Sequence, residues 1–379
     1  MQEGHNLTVL QVTPELNAGG VERTTLEIAE AISRAGGLAL VASAGGRLEP
    51  DLKTAGGELI RIPAASKNPI TVIANAFKLA SIAKTFTSTA ILQLVEQGKV
   101  ELDAPVTKYL PYFALADGRE GEITVRHLLT HTSGLPDNSW TDMSPYLEAR
   151  DDEMALEDHV RSAREVSLLF DPGTKFEYTS FGYDVLGDIV AKVSGQPFEE
   201  YVAEHIFTPL RMDHSTLLLG DVDPKALAMP HVPGADGQVV ASDIFPYTRS
   251  YAPDNTLYSN VEDIAAYAIA TMRRGAAGQP AVLAPESYDA AWQIYTAASF
   301  PPPENNYGLG WMLGERGGEQ VVGHGGVAIG YNSFLTMLPA ESTAFIVMTN
   351  FNDLEEYVMP AFLMRDGLLD IVLGPSTQE

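Results

Sequence analysis

The spacing of apolar residues changes along this chain, and each change marks a boundary. Residues 7–12, 38–42 and 59–62 are short apolar runs of strand length. Between them lie an amphipathic stretch at 21–35 and a second helical stretch at 48–55, with glycine pairs at the joints. Strands alternating with helices in this way predict a parallel α/β unit. From residue 85 to 97 the apolar positions follow a long helical period. Residues 92–298 read as helices and long loops, broken repeatedly by Pro, Gly and Asp. The pattern then becomes strand-like at 308–313, 320–323, 331–338 and 343–349, with Gly and Pro turns between, and closes on a helix predicted over 354–373.

A chain of 379 residues with this pattern is long enough for one large domain with an appendage, or for two domains. The 50 acidic residues against 24 basic ones give a net charge of −26, which argues against nucleic acid or an anionic membrane surface as a partner. Cysteine is absent, so disulfides, thiolate metal sites and a cysteine nucleophile are excluded. The start, Met1-Gln2-Glu3-Gly4-His5-Asn6, lacks the basic and apolar segments of a secretory leader, and no run reaches membrane-spanning length. The expectation is a cytoplasmic protein without a membrane span.

Chemistry enters at Ser81-Ile82-Ala83-Lys84, at the head of the long helix. Residues three apart on a helix stand about 5–6 Å apart at Cβ, so the Lys84 amine can reach the Ser81 hydroxyl. Two more elements follow in chain order: Tyr178-Thr179-Ser180, and His324-Gly325-Gly326 ahead of the strand that begins at Tyr331. Together with Phe77-Lys78-Leu79-Ala80, His127-Leu128-Leu129-Thr130-His131-Thr132-Ser133-Gly134-Leu135, Asp184-Val185-Leu186-Gly187 and Pro209-Leu210-Arg211-Met212, they resemble the serine hydrolases related to class C β-lactamases. That group includes penicillin-binding D-alanyl peptidases, D-amino-acid peptidases and the family VIII carboxylesterases.

The resemblance covers about residues 77–379. It implies a β-lactamase/DD-peptidase-like α+β domain, in which an antiparallel sheet flanked by helices meets a helical subdomain at a cleft. It makes Ser81 the nucleophile and Lys84 and Tyr178 a proton-sharing pair, with the base of the two left open. It places the Ser81 and Val327 backbone N–H groups in the oxyanion hole. His324 takes the position of the lysine of the Lys-Thr-Gly motif, as a weaker anchor for a substrate carboxylate, and Gly325 and Gly326 let substrate approach the strand. Ser180 stands where most penicillin-recognising relatives carry a substrate-contacting asparagine, which looks more like the family VIII carboxylesterases. No cofactor and no metal are expected. His127 and His131 read as structural hydrogen-bonding residues, Asp151-Asp152-Glu153 and Glu157-Asp158 as a solvated helix face, and Trp292 and Trp311 as core.

Residues 1–76 differ in kind. Gln11 to Arg23, through Gly19-Gly20, looks like the start of a GT-B glycosyltransferase of the Rossmann type, a partial Rossmann-like βαβ unit in place of the two strands that normally precede the serine helix. The hydrolase sheet should therefore lack strands, and a homodimer through the amino-terminal unit or a sheet edge is expected. The leading function is hydrolysis of short-chain esters through a Ser81 acyl-enzyme. A β-lactamase or D-amino-acid amidase/DD-peptidase is the alternative within that mechanism, and a non-catalytic ligand-binding protein the alternative outside it.

Overall fold

The fold comes from a computed structural model describing residues 8–12, 16, 38–43 and 45–61, scattered positions between 23 and 34, and 76–373 without 138–143, 148, 235–237, 275–280 and 302. Two compact units divide the chain, Met1–Asn75 and Ala76–Glu379.

In the first unit β1 (Thr8–Val12) pairs in parallel with β2 (Leu38–Ser43), and β2 with β3 (Gly57–Arg61). Helix α1 (Glu49–Thr54) precedes β3, and Leu16, Ala29, Val41 and Leu52 form a small core. These strands agree with the apolar runs read from sequence. The glycine pair Gly19-Gly20 lies outside the described residues.

The second unit begins with β4 (Phe77–Lys78), a 3₁₀ turn (Ala80–Ile82) and α2 (Ala83–Glu96). Helix α2 is buried on every side from Ala83 to Leu94, the pattern of a core helix. Its hydroxyl side chains are satisfied internally: Thr85 donates to the Ile82 carbonyl, Thr89 to that of Thr85 and Ser88 to that of Leu309. The helix ends at Gln97, and Gly98 then takes a left-handed conformation, the usual stop. Around α2 pack α3 (Val125–Leu129), α4 (Ala155–Arg161), α5 (Ser180–Ser194), α6 (Phe198–Val202) and α7 (Val261–Arg273).

Two short ribbons accompany these helices: β5 (His231–Pro233) with β6 (Val239–Ala241), and β4 with β7 (Tyr258–Ser259). After α8 (Pro285–Ala291) the chain enters an antiparallel six-stranded sheet: β8 (Thr296–Ala297), β9 (Asn306–Tyr307), β10 (Met312–Arg316), β11 (Glu319–Ala328), β12 (Tyr331–Leu338) and β13 (Thr343–Thr349). Helix α9 (Pro360–Leu373) covers β12 and β13. Phe86 stacks on Tyr267 at 4.0 Å, Tyr267 on Trp311 at 6.1 Å, and Trp311 meets Trp292 edge-on, so both tryptophans are core residues.

Strands β12 and β13 match the expected bounds. The strand expected at 320–323 extends to Ala328, because His324-Gly325-Gly326 stays in register opposite Leu335, Phe334 and Ser333. The helix expected from 354 starts at Pro360, after a tight turn in which Asp353 pairs with Val358. Among the described residues β13 forms an open edge, and the sheet has no strand from the segment before the serine turn.

Candidate active site

Ser81 sits between the helices and the sheet, 5% exposed, on the 3₁₀ turn that feeds α2. Ala80 before it has φ +47°, a left-handed conformation that costs an L-residue roughly 1–2 kcal/mol. Two tethers hold this turn: the Leu79 N–H donates to the Leu257 carbonyl at 2.7 Å, and Ser333 Oγ donates to the Leu79 carbonyl at 2.9 Å.

Lys84, one helical turn on, is fully buried. Its Nζ lies 3.1 Å from Ser81 Oγ, 3.3 Å from Ser180 Oγ and 3.2 Å from both the carbonyl and Oδ2 of Asp254. Burial opposes the ammonium charge, but the Tyr178 oxygen and the Asp254 carboxylate overcome it and hold the amine above its ordinary pKa. The Lys84 ammonium also lies 5.1 Å from the Tyr178 ring centre. The Tyr178 phenol interacts with both Ser81 and Lys84; burial raises its pKa more than the lysine lowers it. The structure thus brings together Ser81, Lys84, Tyr178 and Ser180, as the motifs suggested, and adds Asp254.

Position 180 is the first residue of α5, where the unpaired N–H groups and helix dipole favour an anion. Asp137 supplies it, accepting from the Ser180 N–H at 3.2 Å. The Ser180 hydroxyl faces Lys84.

His324 differs from its expected part. It is fully buried, with Nδ1 2.7 Å from the Gly325 carbonyl and Nε2 3.0 Å from the Tyr307 hydroxyl. A carbonyl only accepts, so the network assigns the proton to Nδ1 and makes Nε2 the acceptor from Tyr307. His131 completes the chain. Its Nδ1 accepts from the Thr179 N–H at 3.1 Å, which leaves Nε2–H to donate to Tyr307 at 3.2 Å. Burial, with Lys84 nearby, lowers the His324 pKa to about 3, and burial likewise carries His131 well down. Both nitrogens of His324 are therefore engaged by protein, and the expected donor to substrate is a neutral link in a buried relay.

The glycines after it serve packing. A Cβ on Gly326 would stand 2.0 Å from the Leu79 carbonyl oxygen, and one on Gly325 would meet the Phe362 and Phe334 rings at 2.9–3.0 Å. On the side where each Cβ would point, the space is thus taken up by the serine turn at Gly326 and by α9 and the Phe334 ring at Gly325. Val327, half-buried, follows directly on that contact.

His127 and Thr124 cap α3 reciprocally. Asp151 to Glu153 are exposed. Among the described residues no group of His, Asp and Glu could hold a metal ion, and no helix is long and apolar enough to cross a membrane. Sequence reasoning missed Asp254, because a lone aspartate in Pro253-Asp254-Asn255 looks like a solvated turn. It met Asp184 only as part of a motif.

An antiparallel sheet flanked by helices, with a serine, a lysine and a tyrosine gathered beside it, defines a serine hydrolase of the β-lactamase and penicillin-binding-protein fold. The chain belongs to the Beta-lactamase family, whose model matches residues 62–368. It is 28% identical over 296 residues to penicillin-binding protein 4 of Amycolatopsis lactamdurans, covering 72% of each chain. It is 27% identical over 287 residues to protein flp of Staphylococcus aureus, covering 74% of this chain and 54% of that one; this chain thus spans about half the length of that relative. The octameric penicillin-binding protein homologue from Pyrococcus abyssi superposes with a TM-score of 0.66 at 28% identity, covering 80% of this chain and 67% of that one. Two further structures share the fold: a D-amino acid amidase from Ochrobactrum anthropi SV3 (TM-score 0.65, 23% identity, 77% and 83% covered) and a hydrolase with promiscuous acyltransferase activity (0.62, 23%, 76% and 83%).

Proposed function

We propose that this chain is a carboxylesterase that hydrolyses short-chain esters through a Ser81 acyl-enzyme. The observation that carries the reading is the state of His324. A β-lactam or a D-alanyl peptide presents a carboxylate, and a buried imidazole with a pKa of about 3 gives it no positive charge to pair with. An ester needs no such anchor.

The mechanism follows from the direction of the hydrogen bonds. Lys84, kept as an ammonium by Asp254, donates to Ser81 Oγ, so the serine's own proton turns toward Tyr178, which interacts with it. Tyr178 in its phenolate form accepts that proton as Oγ bonds to the ester carbonyl carbon. The Ser81 and Val327 N–H groups take the oxyanion, and the phenol returns the proton to the departing alkoxide. Water then repeats the sequence and frees the acid. This reading makes Tyr178 the base and Lys84 the charge that stabilises its phenolate.

Turnover of p-nitrophenyl butyrate, a chromogenic cephalosporin and a D-alanyl peptide by one preparation tests the reading. Faster hydrolysis of the cephalosporin or the peptide than of the ester overturns the substrate assignment. Failure of a fluorophosphonate to label Ser81 overturns the hydrolase assignment and leaves a binding protein.

The unit Met1–Asn75 we read as a glycosyltransferase-type βαβ fragment without part in the reaction, supported by its parallel sheet. The same reading includes a homodimer through the amino-terminal unit or an edge of the six-stranded sheet, and a strictly monomeric mass by light scattering removes it.

A further inference from the structure

A cavity of about 310 Å³ adjoins the Lys84 ammonium, and its lining includes Ser180 and Asp254, both in contact with that group. Asp184, one turn further along α5 than Ser180, lines it too, and no lysine or arginine does. Asp184 and Asp254 are each 1% exposed, and their carboxyl groups hydrogen-bond each other. Their other partners are separate. Asp254 Oδ2 accepts from Lys84 at 3.2 Å and Asp184 Oδ2 meets His159 Nε2 at 3.1 Å, which leaves Oδ1 of each for the neighbouring acid.

Two carboxylates cannot hydrogen-bond, because both only accept, so the contact requires one proton on the pair. Charge requires it too, since like charges in contact and out of water cannot both ionise. The cations around the pair suffice for one negative charge. From the serine segment, Lys84 is already paired with Asp254, while Lys78 is buried without a hydrogen-bond partner and lowered by that burial to about 7. From α4, His159 is lowered by burial to about 4 and is a neutral donor. Asp137 and Glu165 on the cavity wall, and the Tyr146 and Tyr178 phenols that feel the Asp254 charge, add no positive charge. The proton belongs on Asp184. Asp254 touches the ammonium, which favours its ionised form. Asp184 meets only the imidazole, and burial, then the Asp254 charge, raises its carboxyl well above the usual range.

We infer that Asp184 is a positioning residue: it keeps a proton on its carboxyl group and donates it to Asp254, fixing the carboxylate that holds the Lys84 ammonium against Ser81. The His159 N–H donates to Asp184, the Asp184 O–H to Asp254, and Lys84 to both Asp254 and Ser81 Oγ. One negative charge thus faces one ammonium, and a second ionisation would leave a buried carboxylate without a cation. The part played in turnover rests on the hydrolase reading; the placement of the proton does not.

Infrared spectra of the wild-type protein at about pH 8 test the proton without turnover. At that pH Asp188, raised by burial to about 6, is ionised. Glu304, another buried acid whose pKa burial raises, is set apart by labelling the aspartate carboxyl carbons with carbon-13, which moves aspartate bands only. We expect a protonated-carboxyl stretch that shifts on aspartate labelling and is lost in Asp184→Asn. Absence of such a band in the labelled wild type overturns the proposal and needs no variant to fold; its persistence in Asp184→Asn overturns it as well. Turnover of p-nitrophenyl butyrate then tests the positioning. The value of kcat/KM should rise with pH as the Lys84–Tyr178 pair loses a proton. An amide at position 184 is as neutral as the protonated acid and can donate the same hydrogen bond, so Asp184→Asn should leave that rising limb where it stands in the wild type. An ionised Asp184 predicts a limb moved to lower pH, and that shift overturns the proposal. Asp184→Ala removes the donor and should lower kcat at least about tenfold with KM little changed, a loss that Asp184→Asn should largely recover. Equal losses in the two variants overturn the positioning role. Absence of ester turnover beside an intact aspartate band refutes the hydrolase reading and leaves the proton on Asp184.

Discussion

Lys84 and Asp254, 170 positions apart, form a salt bridge at 3.2 Å in which the side chains are 0% and 2% exposed. A cation and an anion this deeply buried gain little net stability as a pair, but removing one partner strands the other. The consequence for catalysis is that Lys84 stays charged and Tyr178 is held protonated at rest: burial raises the phenol's pKa and the Asp254 carboxylate adds to that shift, while against burial the Tyr178 oxygen and Asp254 hold the amine above its ordinary value.

Asp254→Asn should therefore act on the pH profile in one direction. The competent site has lost one proton from the Lys84–Tyr178 pair, so kcat/KM rises with pH through that ionisation. Removing the negative charge makes the proton easier to lose whichever group gives it up, and the rising limb moves to lower pH. An unchanged or alkaline-shifted limb contradicts the assignment. The same variant should lose about 3–5 kcal/mol of stability, the usual cost of breaking a buried pair, as measured by urea unfolding.

Tyr178→Phe separates the two candidate bases. The ring and its packing against His131, 4.2 Å between centres, are kept while the oxygen is lost. With Tyr178 as the base, kcat should fall by about 10²–10⁴ with KM nearly unchanged, and fluorophosphonate labelling of Ser81 should slow in parallel. Labelling at the wild-type rate would return the base to Lys84.

The sequence was most legible where a periodic pattern or a short helical spacing carried the information. Ser81 and Lys84 meet because they are one turn apart, and β12 and β13 alternate or run apolar over their whole lengths. Strand β11 was read short because two glycines look like a turn, whereas here they are required by what crosses the strand. Asp254, Asp184 and the cavity were not legible. Their meeting depends on a loop, a helix and the end of α4 converging in space, which no local period encodes.

Gly326→Ala tests that crossing. The added methyl would stand 2.0 Å from the Leu79 carbonyl and 2.6 Å from Ser333 Oγ. The side-chain oxygen can rotate away; the backbone carbonyl cannot, so strand and serine turn must separate. Ser81 then moves relative to Val327. Losing one oxyanion donor costs about 10²–10³ in kcat, and a loss of that order is expected here with KM little altered. Activity within tenfold of wild type would show that β11 does not set the position of the nucleophile.

The histidine relay makes a separate prediction about acid stability. In the unfolded chain His324 titrates near 6.5, whereas in the fold burial holds its pKa to about 3. Between these values the unfolded state binds the extra proton, so the stability that the neutral ring contributes is complete above pH 6.5 and declines as pH falls toward 3. His131, buried in the same chain of hydrogen bonds, adds a contribution of the same sign. His324→Gln keeps an amide able to bond Tyr307 but cannot titrate. It should be less stable than wild type at pH 7, yet lose less stability between pH 6.5 and 4, as urea midpoints across that range would record. A slope equal to wild type would mean that His324 carries its proton in the fold, restoring a positive charge beside the cleft. The case for esters over carboxylate-bearing substrates would then fail with it.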